Sequence, residues 1–533
     1  MHKIPEKNSD SSLSLNSSSA WPKYLFLLAV AIFLYLFLFK FPATPFFTDG
    51  DQSIFLYEAE RIFNGDVMYR DFFEFTLPGT QALYASMFAI FGPQYWIVGA
   101  VTLVIGVATA WLLLNISEKL IARPLCYLPA IIYIFFGFRW FGLDGSHRMF
   151  SPLFILLAIW LLMRGKTARY LILTGSSLAL ASFFTQQRGF VALAAIILFF
   201  LIDNRSRREK WSRFLSEISI ISGAFLLSLT IFCLYFAVAA GSDNFFYATF
   251  SYPYQYYGYG HPNNFSVYFT DLRKVFTIST VSDVIEVGPV VFHAILLPFA
   301  NLVLLVGFIR KHKTIDWDVW QFPLLIALIG LFLTLSTTAP NQFRLFQISG
   351  PSLIVLIWLI SRIEINRQIK RRIFQFVATA LLLLGAFQAI RIQTNWEFID
   401  LDFPSGRLTM VNSPQARRYL WLAQNTKPGD FFFEVYEPFV YFPLKLKNPT
   451  RFGQIWPSDY TRPEQISEVI GDLNVKKPKY ILFDNAYFAS GTPRAAGDHT
   501  GPLADFVQKS YSPIGDIYDL DGRPVQIWEL KTK

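Results

Sequence analysis

The chain of 533 residues has 53% hydrophobic side chains, 16% charged side chains and a formal net charge of +9. A soluble domain carries about 25% charged residues, so this chain lacks the polar surface that a water-soluble protein of its length needs. The composition excludes a cytosolic enzyme and a disordered chain, and it predicts a membrane protein. Nucleic acid is not an expected partner, because no basic face with interleaved aromatic residues stands apart from the apolar runs.

Apolar runs long enough to cross a bilayer recur through the first three quarters of the chain. Because a helix needs about 20 apolar residues to cross the hydrocarbon, these runs predict a polytopic α-helical membrane protein with about eleven transmembrane helices. They lie in a predicted transmembrane domain at 22–391. The predicted spans are 22–42, 95–116, 124–142, 150–163, 170–187, 189–203, 217–240, 288–309, 321–338, 346–361 and 373–391.

Basic residues in the loops between alternate spans predict the orientation. The positive-inside rule puts these loops, and with them the amino-terminal tail at 1–21, in the cytoplasm. An odd number of spans then puts the carboxy terminus outside. We expect a multi-pass protein of the cytoplasmic (inner) membrane, with long outer loops at 43–94 and 241–287. The basic loops are 119–123, 164–169, 205–213, 310–313 and 362–372.

The last region, 392–533, has the composition of a soluble domain. It contains one helix-like stretch at 414–424 and strand-like runs at 430–436, 480–484 and 524–530. Strands that alternate with helical patterns favour an α/β arrangement. The sequence therefore predicts a C-terminal extracytoplasmic α/β domain.

Four of the carboxylates in the first outer loop are candidate site residues. Asp49 and Asp51 come directly after the first span, and Asp71 and Glu74 follow some twenty residues later. Residues 52–64 have a helical pattern that would place Asp51 at the helix start. Two interpretations of Asp51 follow: it caps this helix, or it takes a proton from an attacking hydroxyl at the membrane surface.

The same loop carries a familiar series of residues. Positions 59–71 spell Ala-x-Arg-hydrophobic-x-x-Gly-x-x-x-Tyr-Arg-Asp, and Pro-Gly and a short apolar helix ending in Phe-Gly follow. This order resembles the GT-C superfamily of membrane glycosyltransferases, in particular the bacterial relatives of protein O-mannosyltransferases and aminoarabinose transferases. The resemblance implies a polyprenyl-phosphate-linked sugar donor and a catalytic Asp eight residues before Ala59. That position is Asp51, here followed by Gln52 instead of the family's Glu, and Asp49 is the reserve candidate.

A second segment resembles the same family. Positions 185–189, Thr-Gln-Gln-Arg-Gly, match a Thr-Lys-Gln-x-Gly segment that closes a span on the outside, with Gln187 at the family's Gln and Gln186 at its Lys. Arg188 supplies a positive charge two positions later. It either binds the lipid phosphate, which an arginine can do bidentately, or reaches to the headgroups as an ordinary membrane-edge cation.

Further polar residues lie at predicted outer turns. Arg148 and Arg344 are candidate phosphate ligands, and Asp144 or His147 could contact a sugar hydroxyl, although a tight turn with one salt bridge explains the first turn as well. The aromatic run 252–259 could stack on a sugar or form an interfacial belt.

The metal requirement stays open at this stage. Asp71 and Glu74 could hold a divalent ion or fix the loop, and the related enzymes differ in their need for a metal. We therefore assign no metal ligand and no certain cofactor, and we leave a divalent cation open.

With the resemblance, the sequence predicts a glycosyltransferase that moves one hexose or pentose from a polyprenyl phosphate to a lipid, glycan or protein acceptor at the outer membrane face. The displacement would invert the anomeric carbon, with Asp51 as base and the arginines at the leaving phosphate. The alternatives are a transporter or lipid flippase, a polysaccharide polymerase or ligase with a diphosphate-linked donor, and a non-catalytic scaffold. Polar residues gather at the outer rim rather than at span centres, which favours surface chemistry over translocation.

Overall fold

The computed structural model describes residues 21–48, 50–137, 144–257, 266–277, 279–311, 314–435, 438–458, 460–483, 497–518 and 524–532. The predicted tail up to residue 20 and the reserve candidate Asp49 lie outside the described residues. Within these ranges the chain is mainly helical, and the strands are concentrated after residue 397.

Among the described residues before 394, thirteen longer helices are present, and the described parts of the predicted spans coincide mainly with eleven of them; residues 138–142 of the span predicted at 124–142 lie outside the described residues. The thirteen helices are α1 (Trp21–Leu38), α2 (Asp51–Phe63), α3 (Gly79–Phe91), α4 (Trp96–Ser117), α5 (Leu125–Phe136), α6 (His147–Leu162), α7 (Ala168–Phe184), α8 (Gln186–Arg207), α9 (Trp211–Ala240), α10 (Val287–Lys311), α11 (Trp317–Ser336), α12 (Gly350–Arg362) and α13 (Arg367–Gln393). Shorter helical segments are Ser242–Phe246, Tyr247–Ser251, Pro253–Tyr257, Ser266–Arg273, Gln342–Gln347 and Tyr441–Leu444, and the segment Val281–Val290 continues directly into α10.

Seven of the described helices are long and apolar enough to cross a membrane: α1, α4, α8, α9, α10, α11 and α13. The predicted spans that remain coincide with four shorter apolar helices, α5, α6, α7 and α12. The prediction of a helical membrane protein is therefore confirmed, and the total of eleven crossings stays a prediction.

The outer helix α2 differs from the spans in composition, since polar and apolar residues alternate at helical spacing. Its buried face carries Ile54, Phe55 and Leu56 together with the carboxylate of Glu58. Residues 52–60 are all buried, so this part of α2 is enclosed by protein on every side and carries polar side chains into the interior. In the structure α2 packs against α3, and both lie within the first predicted outer loop.

Within its described residues, the carboxy-terminal region contains two sheets and three longer helices. The strands of the described chain are β1 (Phe39–Lys40), β2 (Thr44–Pro45), β3 (Phe398–Phe403), β4 (Gly406–Val411), β5 (Phe432–Glu434), β6 (Tyr480–Phe483), β7 (Tyr511–Tyr518) and β8 (Pro524–Leu530), and the helices of this region are α14 (Pro414–Asn425), α15 (Pro463–Lys476) and α16 (Gly501–Ser510). A four-stranded sheet has the order β5-β6-β8-β7, in which β5 and β6 are parallel and the other pairs antiparallel, while β3 and β4 form a separate hairpin. The strands expected near 430–436, 480–484 and 524–530 are present, and the hairpin and β7 were not predicted.

The carboxy-terminal region packs directly against the first outer loop. Lys445 Nζ lies 2.6 Å from Glu60 Oε1 on α2, and the backbone N–H of Asn448 donates to the Tyr57 hydroxyl at 2.8 Å. The Phe73 backbone N–H donates to the Arg451 carbonyl at 2.8 Å. The contacts fix the carboxy-terminal region over α2, so it can contribute side chains to a site at the helix start.

Candidate active site

Asp51 and Arg148 form an ion pair at the meeting point of two helix amino termini. The Arg148 Nη1 atom lies 2.5 Å from Asp51 Oδ2, and His147 Nε2 lies 4.0 Å from the same oxygen. Asp51 is the first residue of α2, after Gly50, and no side chain caps this helix. The Asp51 carboxylate is therefore turned towards α6 rather than used as a cap, and its side chain keeps 33% of its exposure.

A cavity of about 140 Å³ opens beside this ion pair. Its walls combine one carboxylate–guanidinium pair, a second arginine, a buried glutamate and several aromatic rings. Such a mixture suits a polar group that carries negative charge and also has an apolar face. The lining residues are Asp51, Ile54, Phe55, Glu74, Phe75, Thr76, His147, Arg148, Tyr257, Arg344, Gln454, Trp456 and Tyr460.

Arg344 brings a second cation to the same cavity. It lies on the short helix Gln342–Gln347, where Asn341 Oδ1 accepts the Arg344 backbone N–H, and its Nη1 donates to the Thr338 carbonyl at 2.8 Å. Burial, followed by the positive charge of Arg148, holds the pKa of Arg344 below its usual value. Two arginines that repel each other in a partly buried cavity are stabilised when an anion binds between them.

Arg188 lies behind the cavity rather than in its wall. Its Nη1 donates to the Arg148 carbonyl at 2.6 Å and to Ser151 Oγ at 3.0 Å, and the residue is 5% exposed. These bonds hold the first turn of α6, which carries Arg148. The structure therefore gives Arg188 a positioning contact, and its predicted contact with a phosphate stays a prediction.

The remaining predicted site residues have different surroundings. Asp144 Oδ1 accepts from the Ser146 hydroxyl at 2.8 Å and supports the start of α6, and burial raises the pKa of Asp144. Asp71 accepts the Val67 N–H at 2.7 Å and pairs with Arg70, so it organises its own loop. Gln187 is half-buried at the start of α8. None of the three is among the residues that line the cavity.

Gln52 joins the first outer loop to the turn before α6. Its Oε1 accepts the Gly145 backbone N–H at 2.8 Å, and its Nε2 donates to the Thr48 carbonyl and to the Tyr95 hydroxyl. The side chain is 4% exposed. An amide supplies the acceptor and the donor that this position needs, whereas the carboxylate expected from the family pattern offers only acceptors.

The two sequence segments that carry the family resemblance also touch each other. Gln186 Nε2 donates to the Phe75 carbonyl at 2.7 Å. A Cβ on Gly79 would lie 2.5 Å from the Phe183 carbonyl oxygen, so only glycine allows α3 to begin this close to the end of α7. The Pro-Gly motif is thus a close backbone contact that holds the cavity wall at Phe75.

Glu58 and Glu74 form a buried pair next to the cavity. Gln81 Nε2 donates to Glu58 Oε2 at 2.8 Å, and Glu74 Oε1 accepts the backbone N–H groups of Phe75 and Thr76, both at 2.8 Å. Burial and the negative charge of Glu74 raise the pKa of Glu58 well above its usual value. Burial also raises the pKa of Glu74, opposed by a hydrogen bond from Glu58. The raised pKa means that the Glu58 carboxyl keeps its proton to a higher pH than a free glutamate does.

The sequence has no match among protein-family models or curated proteins. Among solved structures, the chain is similar to ArnT from Cupriavidus metallidurans bound to undecaprenyl phosphate, with a TM-score of 0.57 and 10% identity over 96% of this chain and 98% of that chain. The crystal structure of that ArnT in the apo state covers the same shares at 12% identity and a TM-score of 0.41. The chain has the ArnT fold.

ArnT is an aminoarabinose transferase with a GT-C fold. The fold that the sequence resemblance predicts is therefore confirmed, and the seven long apolar helices support a multi-pass membrane protein. The inner membrane and the outside location of the carboxy terminus stay predictions.

Eight of the residues that line the cavity were not predicted as site residues, and four of these eight lie outside the first outer loop. Tyr257 comes from the aromatic run that follows α9, and Gln454, Trp456 and Tyr460 come from the carboxy-terminal region on the ArnT-like helical body. Tyr252 of the same run is buried and donates to the Tyr460 carbonyl. The aromatic run therefore contacts the site, while no local sequence signal distinguishes the three residues of the carboxy-terminal region.

We predict that Gln52→Glu destabilises the protein by about 1–3 kcal/mol, because a buried carboxylate oxygen would face the Thr48 carbonyl without a proton between them. The measurement is the thermal unfolding midpoint in detergent. Gln508→Glu, which makes the same chemical change at an exposed position of α16, is the control and should leave the midpoint unchanged. An equal shift in both variants would contradict the structural role of Gln52.

We predict that Glu58→Gln changes the pH dependence of stability. An acid whose pKa is raised by folding binds more protons in the folded state between its usual value of 4.5 and the raised value, so stability falls as pH rises through that window. Glutamine mimics the protonated acid and lacks this linkage. The unfolding midpoint of the variant should therefore rise relative to that of the wild type as the pH increases from about 4.5 towards the raised pKa of Glu58.

The matched control for this pH series is Glu468→Gln. Glu468 forms a half-exposed ion pair with Arg451 on the surface, and such pairs contribute about 0–1 kcal/mol. A constant difference between Glu58→Gln and the wild type across the pH series would show that Glu58 does not hold a proton in the folded protein.

Proposed function

We propose that the chain is a membrane glycosyltransferase that moves one sugar from a polyprenyl phosphate to an acceptor at the outer face of the cytoplasmic membrane. The observation that carries the proposal is the cavity in which the Asp51 carboxylate faces Arg148 and Arg344. The ArnT structure that shares the fold was solved with undecaprenyl phosphate, which supports a polyprenyl-linked donor for this chain.

The chemistry is a single in-line displacement at the anomeric carbon. The acceptor hydroxyl forms the new C–O bond while the bond between the sugar and the phosphate breaks, and the electron pair leaves with the polyprenyl phosphate. Asp51 accepts the hydroxyl proton, and Arg148 and Arg344 stabilise the charge that grows on the phosphate. Since the nucleophile enters opposite the leaving group, the anomeric configuration is inverted.

The aromatic residues suit the sugar. Phe75, Tyr257, Trp456 and Tyr460 surround the charged residues on the wall of the cavity. Aromatic faces pack against the apolar C–H face of a sugar ring, and tyrosine hydroxyls can bond its edge. Because three of the lining residues come from the carboxy-terminal region, that region would help to select the sugar or the acceptor.

The test is a transfer assay with purified full-length protein in lipid nanodiscs. A panel of radiolabelled polyprenyl-phosphate sugars is offered with lipid, glycan and peptide acceptors, and a parallel panel carries diphosphate-linked donors. We expect transfer from one monophosphate-linked donor, with release of polyprenyl phosphate and an inverted anomeric centre by NMR. Transfer from diphosphate-linked donors alone, or retention of configuration, would contradict the proposal.

A further inference from the structure

A basic cleft in the described part of the chain shares no lining residue with the candidate active site. This basic cleft has a volume of about 840 Å³ between the turn that joins α4 to α5 and the turn that joins α12 to α13. Leu125 at the start of α5 and Arg362 at the end of α12 line the cleft. At their other ends, α12 follows the short helix that carries Arg344 of the active-site cavity, and Tyr133 of α5 donates to the Gln347 carbonyl of that same short helix. The cleft residues are Leu120, Ala122, Arg123, Pro124, Leu125, Ser361, Arg362, Gln368, Lys370 and Arg371.

The cleft carries a strong positive charge. Arg123 pairs with Glu118 at 2.7 Å, and Glu118 is shared with Lys23 at 3.1 Å. No carboxylate within the described ranges pairs with the other three cations of the cleft, which are Arg362, Lys370 and Arg371. Several cations around one cleft repel each other and favour an anion between them.

Two of these cations are held in place by their surroundings. The Arg362 guanidinium lies over the Trp358 ring, 5.1 Å from its centroid, and Lys370 Nζ donates to the Ser361 carbonyl at 3.0 Å. Stacking on an aromatic ring keeps the guanidinium donors free in its plane. The geometry therefore leaves donors available for an anion that enters the cleft.

The flanks of the cleft are apolar and exposed. Ile363, Ile365, Ile369 and Ile373 lie beside the basic residues with 42–53% of their surface exposed. This combination of cations above exposed apolar side chains is the pattern of a membrane interface, where a headgroup meets the cations and its acyl chains meet the apolar surface. A soluble anion would use the cations but not the isoleucines.

We infer that this cleft binds the headgroup of an anionic phospholipid, through its phosphodiester, on the membrane face opposite the active-site cavity. Four cations around one cleft can hold one phosphodiester or the two of a double-headed phospholipid. A lipid seated there bridges the ends of α4, α5, α12 and α13. The opposite ends of α5 and α12 lie next to the short helix that carries Arg344. A bound lipid would therefore fix the spacing of helices that support the active-site cavity.

Native mass spectrometry of the full-length protein tests the inference, with phosphatidylglycerol and phosphatidylcholine of identical acyl chains as probes. We expect phosphatidylglycerol to bind more tightly than phosphatidylcholine. The double variant Arg362→Gln with Arg371→Gln should weaken phosphatidylglycerol binding about thirtyfold, because it removes two cations that contact the headgroup. Binding of phosphatidylcholine should be unchanged.

The matched control is the double variant Arg310→Gln with Arg372→Gln. It removes the same charge from the same membrane face, but neither residue lines the cleft. If the double cleft variant fails to fold, Arg371→Gln alone, at an exposed position, should weaken binding about fivefold. Equal binding of the two lipids, or equal losses in cleft and control variants, would overturn the inference. Inorganic phosphate that binds the cleft as tightly as phosphatidylglycerol would also overturn it, because the ligand would then be a soluble anion.

Discussion

Asp51→Asn should reduce sugar transfer by about 10²–10⁴-fold, the range that a general base contributes. Asparagine has the same shape as aspartate and can still accept a hydrogen bond from Arg148, so the local structure at the start of α2 should persist. It cannot take up the proton of an acceptor hydroxyl. The measurement is kcat for sugar transfer by the purified protein, with the donor identified by the panel assay.

The same variant separates the two interpretations of Asp51. Asparagine is as good a helix cap as aspartate, so a residue that only capped α2 would tolerate the change. Donor binding should be preserved, because removal of one negative charge leaves Arg148 and Arg344 free to hold the phosphate. Asp66→Asn, on the same loop and paired with Arg61, is the control and should transfer sugar normally. Transfer by Asp51→Asn at the wild-type rate would remove Asp51 from the reaction.

The helices could be predicted because a membrane span depends only on a continuous run of apolar residues in the sequence. Each predicted apolar run falls on a helix, since about 20 apolar residues in a row satisfy both the bilayer and the backbone. The ends were less predictable. The span expected to begin at 150 begins as α6 at His147, because its first turn carries charged residues that an apolar window leaves out.

The assembly of the site was only partly predictable. The segments around Asp51, Arg148 and Arg188 were recognised from local residue order, and the structure brings all three together. The sequence could not separate the residue that faces the cavity from the one that lies behind it, because Arg148 and Arg188 are equally placed at helix starts. Only the bond from Arg188 to the Arg148 carbonyl distinguishes them.

Gln454, Trp456 and Tyr460 had no such signal. They lie some 400 residues after Asp51 along the chain, in loops of ordinary composition. They reach the cavity because Lys445 and the residues that follow it seat the carboxy-terminal region on α2. Contacts of this kind depend on the packing of two separately folded surfaces, which local periodicity does not record. The role of Gln52 was not predicted for a similar reason, since its Oε1 accepts the backbone N–H of Gly145, which lies 93 residues later in the chain.

Arg148→Lys should lower kcat/KM for sugar transfer by about 10²–10³-fold, the loss found when a donor to a developing oxyanion is removed. The guanidinium of Arg148 bonds Asp51 through Nη1, and its other donors remain for the phosphate of the leaving group. A lysine keeps the charge but has one compact ammonium, which cannot bond the carboxylate and a phosphate in the same fixed plane. The loss should appear in kcat and in the KM for the donor, whereas Asp51→Asn should lower kcat alone.

Arg70→Lys is the matched control for this change. Arg70 also pairs with an aspartate, Asp71, at 2.8 Å, but its side chain is 53% exposed and lies outside the cavity wall. Exposed pairs of this kind contribute about 0–1 kcal/mol, so transfer should be unaffected. If Arg148→Lys retained wild-type kcat/KM, positive charge alone would satisfy the site. The ion pair with Asp51 would then be a structural contact between α2 and α6, and the phosphate would have to be held by Arg344.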